Sequence, residues 1–443
     1  MNVLQQLEDT KEVVNDVLQM AKKLGATQAE ASMSKVQGIS VGSRLKELET
    51  LEFTNDGGLG ITVYHGKHKG SASTADLSKE ALQQAVSKAV EIARHTSEDP
   101  CTGLADEELM AKEFSDLELY HPTELDPEYA IKQVIESEES AFDCDSRITN
   151  SDGASYSANM GFRVYGNTHG LIAGYPSSRY SLSCVVIAQE GDDMQRDYSY
   201  TINRSEGNLK SAVQVGKEAA ELTLGRLGAR KLPTTKVPVI FHHDVANSLF
   251  SHFVSAISGG SLYRNSSFLL DHLGKQVFPE WCCIEEKPHL KGGLASSVFD
   301  SEGVATQDMT IVDGGHLQHY LLTSYSARKL GYKSNGHAGG IHNWLVKSSG
   351  ENYDELLARM GTGLLVTELM GQGVNIVNGD YSRGAAGFWV ENGKIQYPVH
   401  EITIAGNLKD MFMGIQAIGN DTDVRGAVQT GSILIDEMQV AGN

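Results

Sequence analysis

Val239-Ile240-Phe241-His242-His243-Asp244-Val245-Ala246-Asn247-Ser248-Leu249-Phe250 joins an apolar strand to an amphipathic helix, and its junction decides how the chain is read. Lys236 to Phe241 has the apolar, β-branched character of a buried strand. The helix after it opens on His and Asp. A zinc hydrolase commonly sets two His one helical turn apart at such a place, with a Glu beside the first, so that both imidazoles reach one metal and the Glu serves as base. Here Asn247 stands one turn after His243, and Ala246 one turn after His242. An amide is a poor zinc ligand beside imidazole or thiolate. The spacing predicts a metal-site setting without its ligands: no catalytic residue, no metal, and a degenerate site around His242, His243 and Asn247.

The chain beyond this junction, residues 231–443, is rich in short strands and Gly turns such as Asp313-Gly314-Gly315 and Glu391-Asn392-Gly393-Lys394. Helices are expected at about 244–258, 323–330, 352–360 and 408–413. The reading is a β-rich domain with a partly closed sheet. Ten of the fifteen His lie here, which makes this half the place for a second site. His243 and His252 are two and a half helical turns apart and face opposite ways. His316 and His319 fall on opposite faces of a strand. Gly336-His337-Ala338-Gly339-Gly340-Ile341-His342-Asn343-Trp344 is more promising. Its glycines allow close backbone approach, and His337, His342 and Asn343 supply polar groups. We read His337, Gly339, Gly340, His342 and Asn343, with Arg383 in the Gly-rich Asn378–Phe388 stretch, as candidates for a substrate groove. A peptide there would add as a strand. Neither stretch is a phosphate cradle or a nucleophile elbow.

Residues 1–230 read as an α+β domain built from two helix–sheet–helix units, 1–95 and 126–230. Apolar residues recur at helical period over residues 2–24, and a second helix runs from Ser78 to about His95. Turns are expected at Asn55-Asp56-Gly57-Gly58 and around Gly66. The second unit has a helix capped by Asp126-Pro127, strands from Arg147 to about Asn203, and a helix from Asn208 to about Leu227. Gly60-Ile61-Thr62-Val63-Tyr64 matches Gly161-Phe162-Arg163-Val164-Tyr165, which suggests a duplication. Residues 96–125 are acidic and irregular and are expected to link the units over the surface. The fold class is α+β.

With a formal net charge of -20 and no basic run, the chain is unsuited to nucleic acid or anionic membrane. Five Cys without regular spacing argue against a disulfide framework. The first residues lack the basic and apolar regions of a secretory leader, and no apolar run reaches the ~20 residues of a membrane span. The expectation is a cytoplasmic protein.

The segments Ser258–Arg264, Phe268–Asp271, Phe299–Val304, Tyr325–Gly331, Gly336–Gly340 and Gly379–Trp389 resemble, in order, the PmbA (TldE) branch of the TldD/PmbA metallopeptidase family. The resemblance spans essentially the whole chain. It implies a cytoplasmic heterodimer in which a TldD-like subunit carries zinc on a His-Glu-x-x-x-His motif with a downstream Cys. It also implies that this chain, lacking those ligands, completes a cavity for unfolded peptides. Aligned from His242 or His243, the second ligand position holds Asn247 or Ser248, the Glu position holds His243 or Asp244, and Arg383 to Ala386 contains no Cys. No cofactor is expected in this chain; zinc is expected on the TldD-like partner. A homodimer of the lone chain follows from the same surface. The alternative function is a regulatory or binding protein, such as a modulator of DNA gyrase acting through a protein partner.

Overall fold

The computed structural model describes residues 3–442; the expected helix start at Asn2 lies outside the described residues. The N-terminal region runs α1 (Val3–Lys23), β1 (Gln28–Arg44), β2 (Glu47–His65), β3 (His68–Thr74), α2 (Lys79–His95), α3 (Pro127–Phe142), β4 (Ile148–Asn167), β5 (Ile172–Glu190), β6 (Asp193–Asn203) and α4 (Ala212–Gly225). The strands form one antiparallel sheet in the order β3-β2-β1-β4-β5-β6, two meanders joined back to back through β1 and β4. Buried apolar residues alternate along β1, as a half-covered sheet requires: Ala29, Ala31 and Met33 pack under α1 and α2, and Ile39 and Val41 under α3 and α4. Ser78, Asp126 and Ser211 cap their helices by accepting first-turn backbone N–H groups.

Two expectations fail in this region. The first turn is not at Asn55–Gly58, which lies inside β2; the chain reverses at Leu45 and Lys46, both left-handed. The cause is tertiary. Glu138 of α3, fully buried, accepts Leu45 N–H at 3.0 Å, Lys46 N–H at 3.1 Å and the Ser43 hydroxyl at 2.5 Å. Nor does the 96–125 segment lie simply on the surface. Ala111, Leu117 and Leu119 are buried with Tyr165, Val298 and Phe299, in the seam between the two regions of the molecule.

The C-terminal region begins with β7 (Thr235–Phe241), α5 (His243–Ile257) and α6 (Gly259–Tyr263). It continues through β8 (Ile284–Glu286), β9 (Met309–Asp313), β10 (His316–Leu317), α7 (Ser324–Leu330), β11 (Trp344–Val346) and α8 (Tyr353–Met360). It ends with β12 (Gly363–Met370), β13 (Val374–Asn375), β14 (Asp380–Glu391), β15 (Lys394–Asn407), α9 (Leu408–Met413), β16 (Ile415–Ile418), β17 (Val428–Gln429) and β18 (Ile433–Ala441). Strands β12-β7-β18-β15-β14 close on themselves through β12 and β14, so the expected partly closed sheet is a closed five-strand barrel. Closure leaves no free edge around the ring. A second sheet, β10-β9-β8-β11-β17, packs beside it. Along β7, Val239 and Phe241 join the core under α5, while Ile240 joins the core under α8. Phe253 of α5 makes edge-on or tilted ring contacts with Phe278, Trp344 and Phe412, which fixes the helix against the second sheet and α9. No helix among the described residues is long and apolar enough to cross a membrane.

Candidate functional site

A cleft of about 1190 Å³ opens between the N-terminal sheet and the barrel. One wall is β6 with α4. The other is the β7–α5 junction with the 422–425 loop and part of β14. His242, His243, Asn247 and Arg383 all line it, so four of the residues singled out from sequence meet in one place.

The junction is held firmly. His242 caps α5, and its backbone N–H donates to Val366 of β12 at 2.9 Å. The His243 N–H donates to Ser432 Oγ at 3.0 Å, and its Nδ1 lies 3.1 Å from Asp421 Oδ2. Asp421 also accepts from Ser432 N–H and Oγ. Asp244 sits 3.0 Å from His242 Nδ1 and is paired with the Arg425 guanidinium. Arg425 also bonds Asp423 and lies 4.3 Å over the Tyr200 ring of β6, so one cation bridges both walls. Arg226 does the same at the cleft edge, pairing Asp197 with Glu368.

These ties set the electrostatics. Burial alone would raise the Asp244 carboxyl, but the His242 hydrogen bond and the charges of His242, His243 and Arg425 hold it well below the usual range. The same competition depresses Asp421 through His243 and Ser432. His243 moves the other way: burial disfavours its cation, but Asp421 and Asp244 outweigh it and raise its pKa. His252, half-buried near Arg383, is lowered by both burial and that charge.

The 336–344 segment does not belong to this cleft. His337, His342 and Asn343 are buried, so the expectation that they wall a groove is corrected. Glu286 of β8 organises them. It accepts His337 Nε2 at 2.6 Å, the His342 N–H at 2.6 Å and Trp344 Nε1 at 3.1 Å. Burial would raise this carboxyl, yet the two His pull it down to about 2. Asn335 donates to Tyr320 O and accepts from Leu322 N–H, which fixes its amide and turns Oδ1 toward His337 Nδ1. Both His337 nitrogens are therefore engaged. Gly339 and Gly340 are exposed but lie outside the cleft lining. Both have positive φ, and a Cβ on Gly339 would meet Ser301 Oγ at 2.4 Å, so the glycines serve a tight turn.

Among the described residues, two clusters bring three candidate donor atoms within 4.8 Å of one another: His242, His243 and Asp244, and Glu286, His337 and His342. In the first, the Asp244 carboxylate already holds a guanidinium and His243 Nδ1 faces Asp421. In the second, the carboxylate accepts three donors and both His337 nitrogens already have partners. Sequence reasoning missed Asp421, Arg425, Tyr200 and Glu286. The Asn420-Asp421-Thr422-Asp423 run was a visible signal, but its 178-residue separation from His243 was not bridgeable without the fold.

A six-stranded antiparallel sheet under four helices, joined across a cleft to a five-strand barrel, defines a two-part α+β architecture, and comparison places it. The PmbA/TldA metallopeptidase domain 1 matches residues 29–93, the central domain 120–227 and the C-terminal domain 234–442. Metalloprotease PmbA of Escherichia coli O157:H7 is 54% identical, covering 100% of this chain and 99% of its own. The Metalloprotease PmbA homolog of Haemophilus influenzae is 56% identical, covering 99% and 97%. The crystal structure of a Bacteroides thetaiotaomicron protein, named as a putative modulator of DNA gyrase, superposes with a TM-score of 0.93 at 28% identity, covering 98% of this chain and 99% of its own. The chain belongs to the PmbA branch of the PmbA/TldD metallopeptidase family.

Proposed function

We propose that this chain is the PmbA-like subunit of a cytoplasmic, zinc-dependent peptidase complex, and that it shapes the substrate cavity while a TldD-like partner carries the metal. The observation behind this reading is the cleft itself. It carries charged residues on both walls and is bridged by Arg425, and one wall is β6, an edge strand whose outer side pairs with no strand among the described residues. An edge strand can accept an extended peptide through its backbone groups without regard to sequence, whereas a segment already paired within a folded protein has no free backbone groups to offer it. Arg383 and the His242–His243 junction stand on the opposite wall.

The same geometry supports the absence of zinc from this chain. A tetrahedral site needs several free, deprotonated donors. The carboxylate of the cleft cluster is engaged by a cation, one imidazole is tied to Asp421, and the next helical turn offers Asn247. Zinc on the partner would polarise the scissile carbonyl and activate water; this chain's residues would bind and orient the extended substrate.

The test is to mix the purified chain with its TldD-type partner and measure hydrolysis of an unstructured peptide, with each protein alone and with a chelator as controls. Chelator-sensitive turnover well above that of either protein alone is expected. Turnover by this chain alone would overturn the assignment, and equal turnover by the partner with and without it would favour the regulatory reading.

A further inference from the structure

The two meanders of the N-terminal sheet treat their second strands differently. In each, the third strand covers only the later part of the second: β3 pairs β2 from Leu59 onward, and β6 pairs β5 from Tyr180 onward. The early part of β5 is covered from within the chain. Ser178 N–H donates to Leu119 O at 2.9 Å, His121 N–H donates to Ser178 Oγ at 2.9 Å, and Tyr175 packs on Phe299. The early part of β2, Glu47 to Gly58, has no such cover. It pairs with β1 on one side and with no strand on the other among the described residues.

This open stretch is also apolar on one face. Leu48 is 46% exposed, Leu51 41% and Phe53 63%. Leu51 and Phe53 lie opposite Val41 and Ile39 of β1, which are buried under α3 and α4, so the stripe continues a core face past the point where the helices cover it. A long, unpaired edge with exposed large apolar residues is a liability unless something pairs with it. The strand is strongly acidic as well: Glu47, Glu49, Glu52 and Asp56 stand along it, and the neighbouring Lys46 is turned back over the Phe142 ring.

We propose that the Glu47–Gly58 edge of β2 docks a strand from a second, non-identical protein chain, one that alternates apolar residues with Lys or Arg. The apolar residues would cover Leu51 and Phe53, and the cations would answer Glu52 and Asp56. A second copy of this chain fits less well. The antiparallel register that sets Leu51 against Phe53 also sets Glu52 against Glu52, and like charges directly opposite destabilise a strand pair. The proposal rests on the heteromeric reading above, and it locates the partner's docking edge away from the cleft.

The affinity of the TldD-type partner for the full chain is measured by calorimetry, and self-association of the lone chain by sedimentation. The variants are Leu51→Lys/Phe53→Lys, Glu52→Lys and, as a control on another exposed apolar residue, Met413→Lys, each checked for folding by circular dichroism. The expected result is a loss of at least about 10-fold for the double variant, as for central apolar anchors. Glu52→Lys should weaken binding less and reduce its salt dependence, and Met413→Lys should change nothing. Full-strength binding by the double variant would overturn the docking edge and leave the heteromeric reading standing. A wild-type chain that does not bind the partner would overturn both. Loss of self-association in the double variant, with partner binding intact, would assign the edge to a second copy and overturn the proposal as stated.

Discussion

The molecule holds two His–carboxylate clusters made from the same kinds of atoms and put to opposite uses. In the core beside the barrel, Glu286, His337 and His342 are buried, and the carboxylate oxygens are filled by directed donors. In the cleft, His242, His243 and Asp244 are half-exposed, and their charge is balanced by Arg425, itself at the cleft wall, and by Asp421. Burial makes the first cluster a structural joint, because an unpaired charge there is costly. Exposure leaves the second accessible from the cleft at little cost, because water already screens it. Residue type alone, then, does not separate a joint from a site; what surrounds the donors does.

The comparison breaks first, if it breaks, at Glu286. Glu286→Gln would leave His337 facing an amide in a dry site, and the expected loss of stability is about 3–5 kcal/mol, read by denaturant unfolding. A loss under about 1 kcal/mol would mean that the buried cluster is no more structural than the cleft. The pH dependence follows in sign. Glu286 drops from an ordinary 4.5 to about 2 in the folded chain, so its contribution is fully present above pH 4.5 and is lost as pH falls toward 2. The variant should lack that acid limb.

Asp421→Asn tests the cleft cluster. His243 is raised above its ordinary 6.5 in the fold, so the stability it draws from Asp421 is complete below pH 6.5 and is lost as pH rises through the folded value. The expected cost is about 1.5–3 kcal/mol at pH 6, the range for a hydrogen bond to a charged group, and less at pH 9. Thermal melts at the two pH values measure it; equal losses at both would show that Asp421 acts only through Ser432.

What the sequence made legible follows the same division. Helices at 243–257, 324–330, 353–360 and 408–413 were readable because each carries its cap and period locally. The one-turn spacing from His243 to Asn247 was readable because a helix fixes its own spacing. The β2 turn was not: Asn55-Asp56-Gly57-Gly58 has good turn chemistry, but Glu138, 92 residues from Lys46, fixes the reversal elsewhere. The match between Gly60–Tyr64 and Gly161–Tyr165 joins β2 to β4, a second strand to a first, so it does not superimpose the two meanders. The His337 segment misled for a related reason. Glycine beside polar residues fits a groove and a buried turn equally well, and only Glu286 and Asp300, brought in by the fold, decide between them; the latter accepts Ala338 N–H at 2.9 Å, and burial pushes its carboxyl up to about 6.

The smallest effects come from a pair of asparagines, one in each environment. Asn343 is fully buried, and its side chain donates to Lys287 O at 2.8 Å and Ser296 Oγ at 2.7 Å while accepting from Ala295 N–H at 3.2 Å. Asn343→Ala strands those partners and should cost about 1–3 kcal/mol. Asn247 lines the cleft at half exposure, at the position where a second metal ligand would be expected, and Asn247→Ala should stay within about 0.5 kcal/mol. Paired unfolding curves read both. If the Asn247 variant matched the Asn343 one, the cleft wall would be as constrained as the core, and its residues would be held for stability rather than kept available for a substrate.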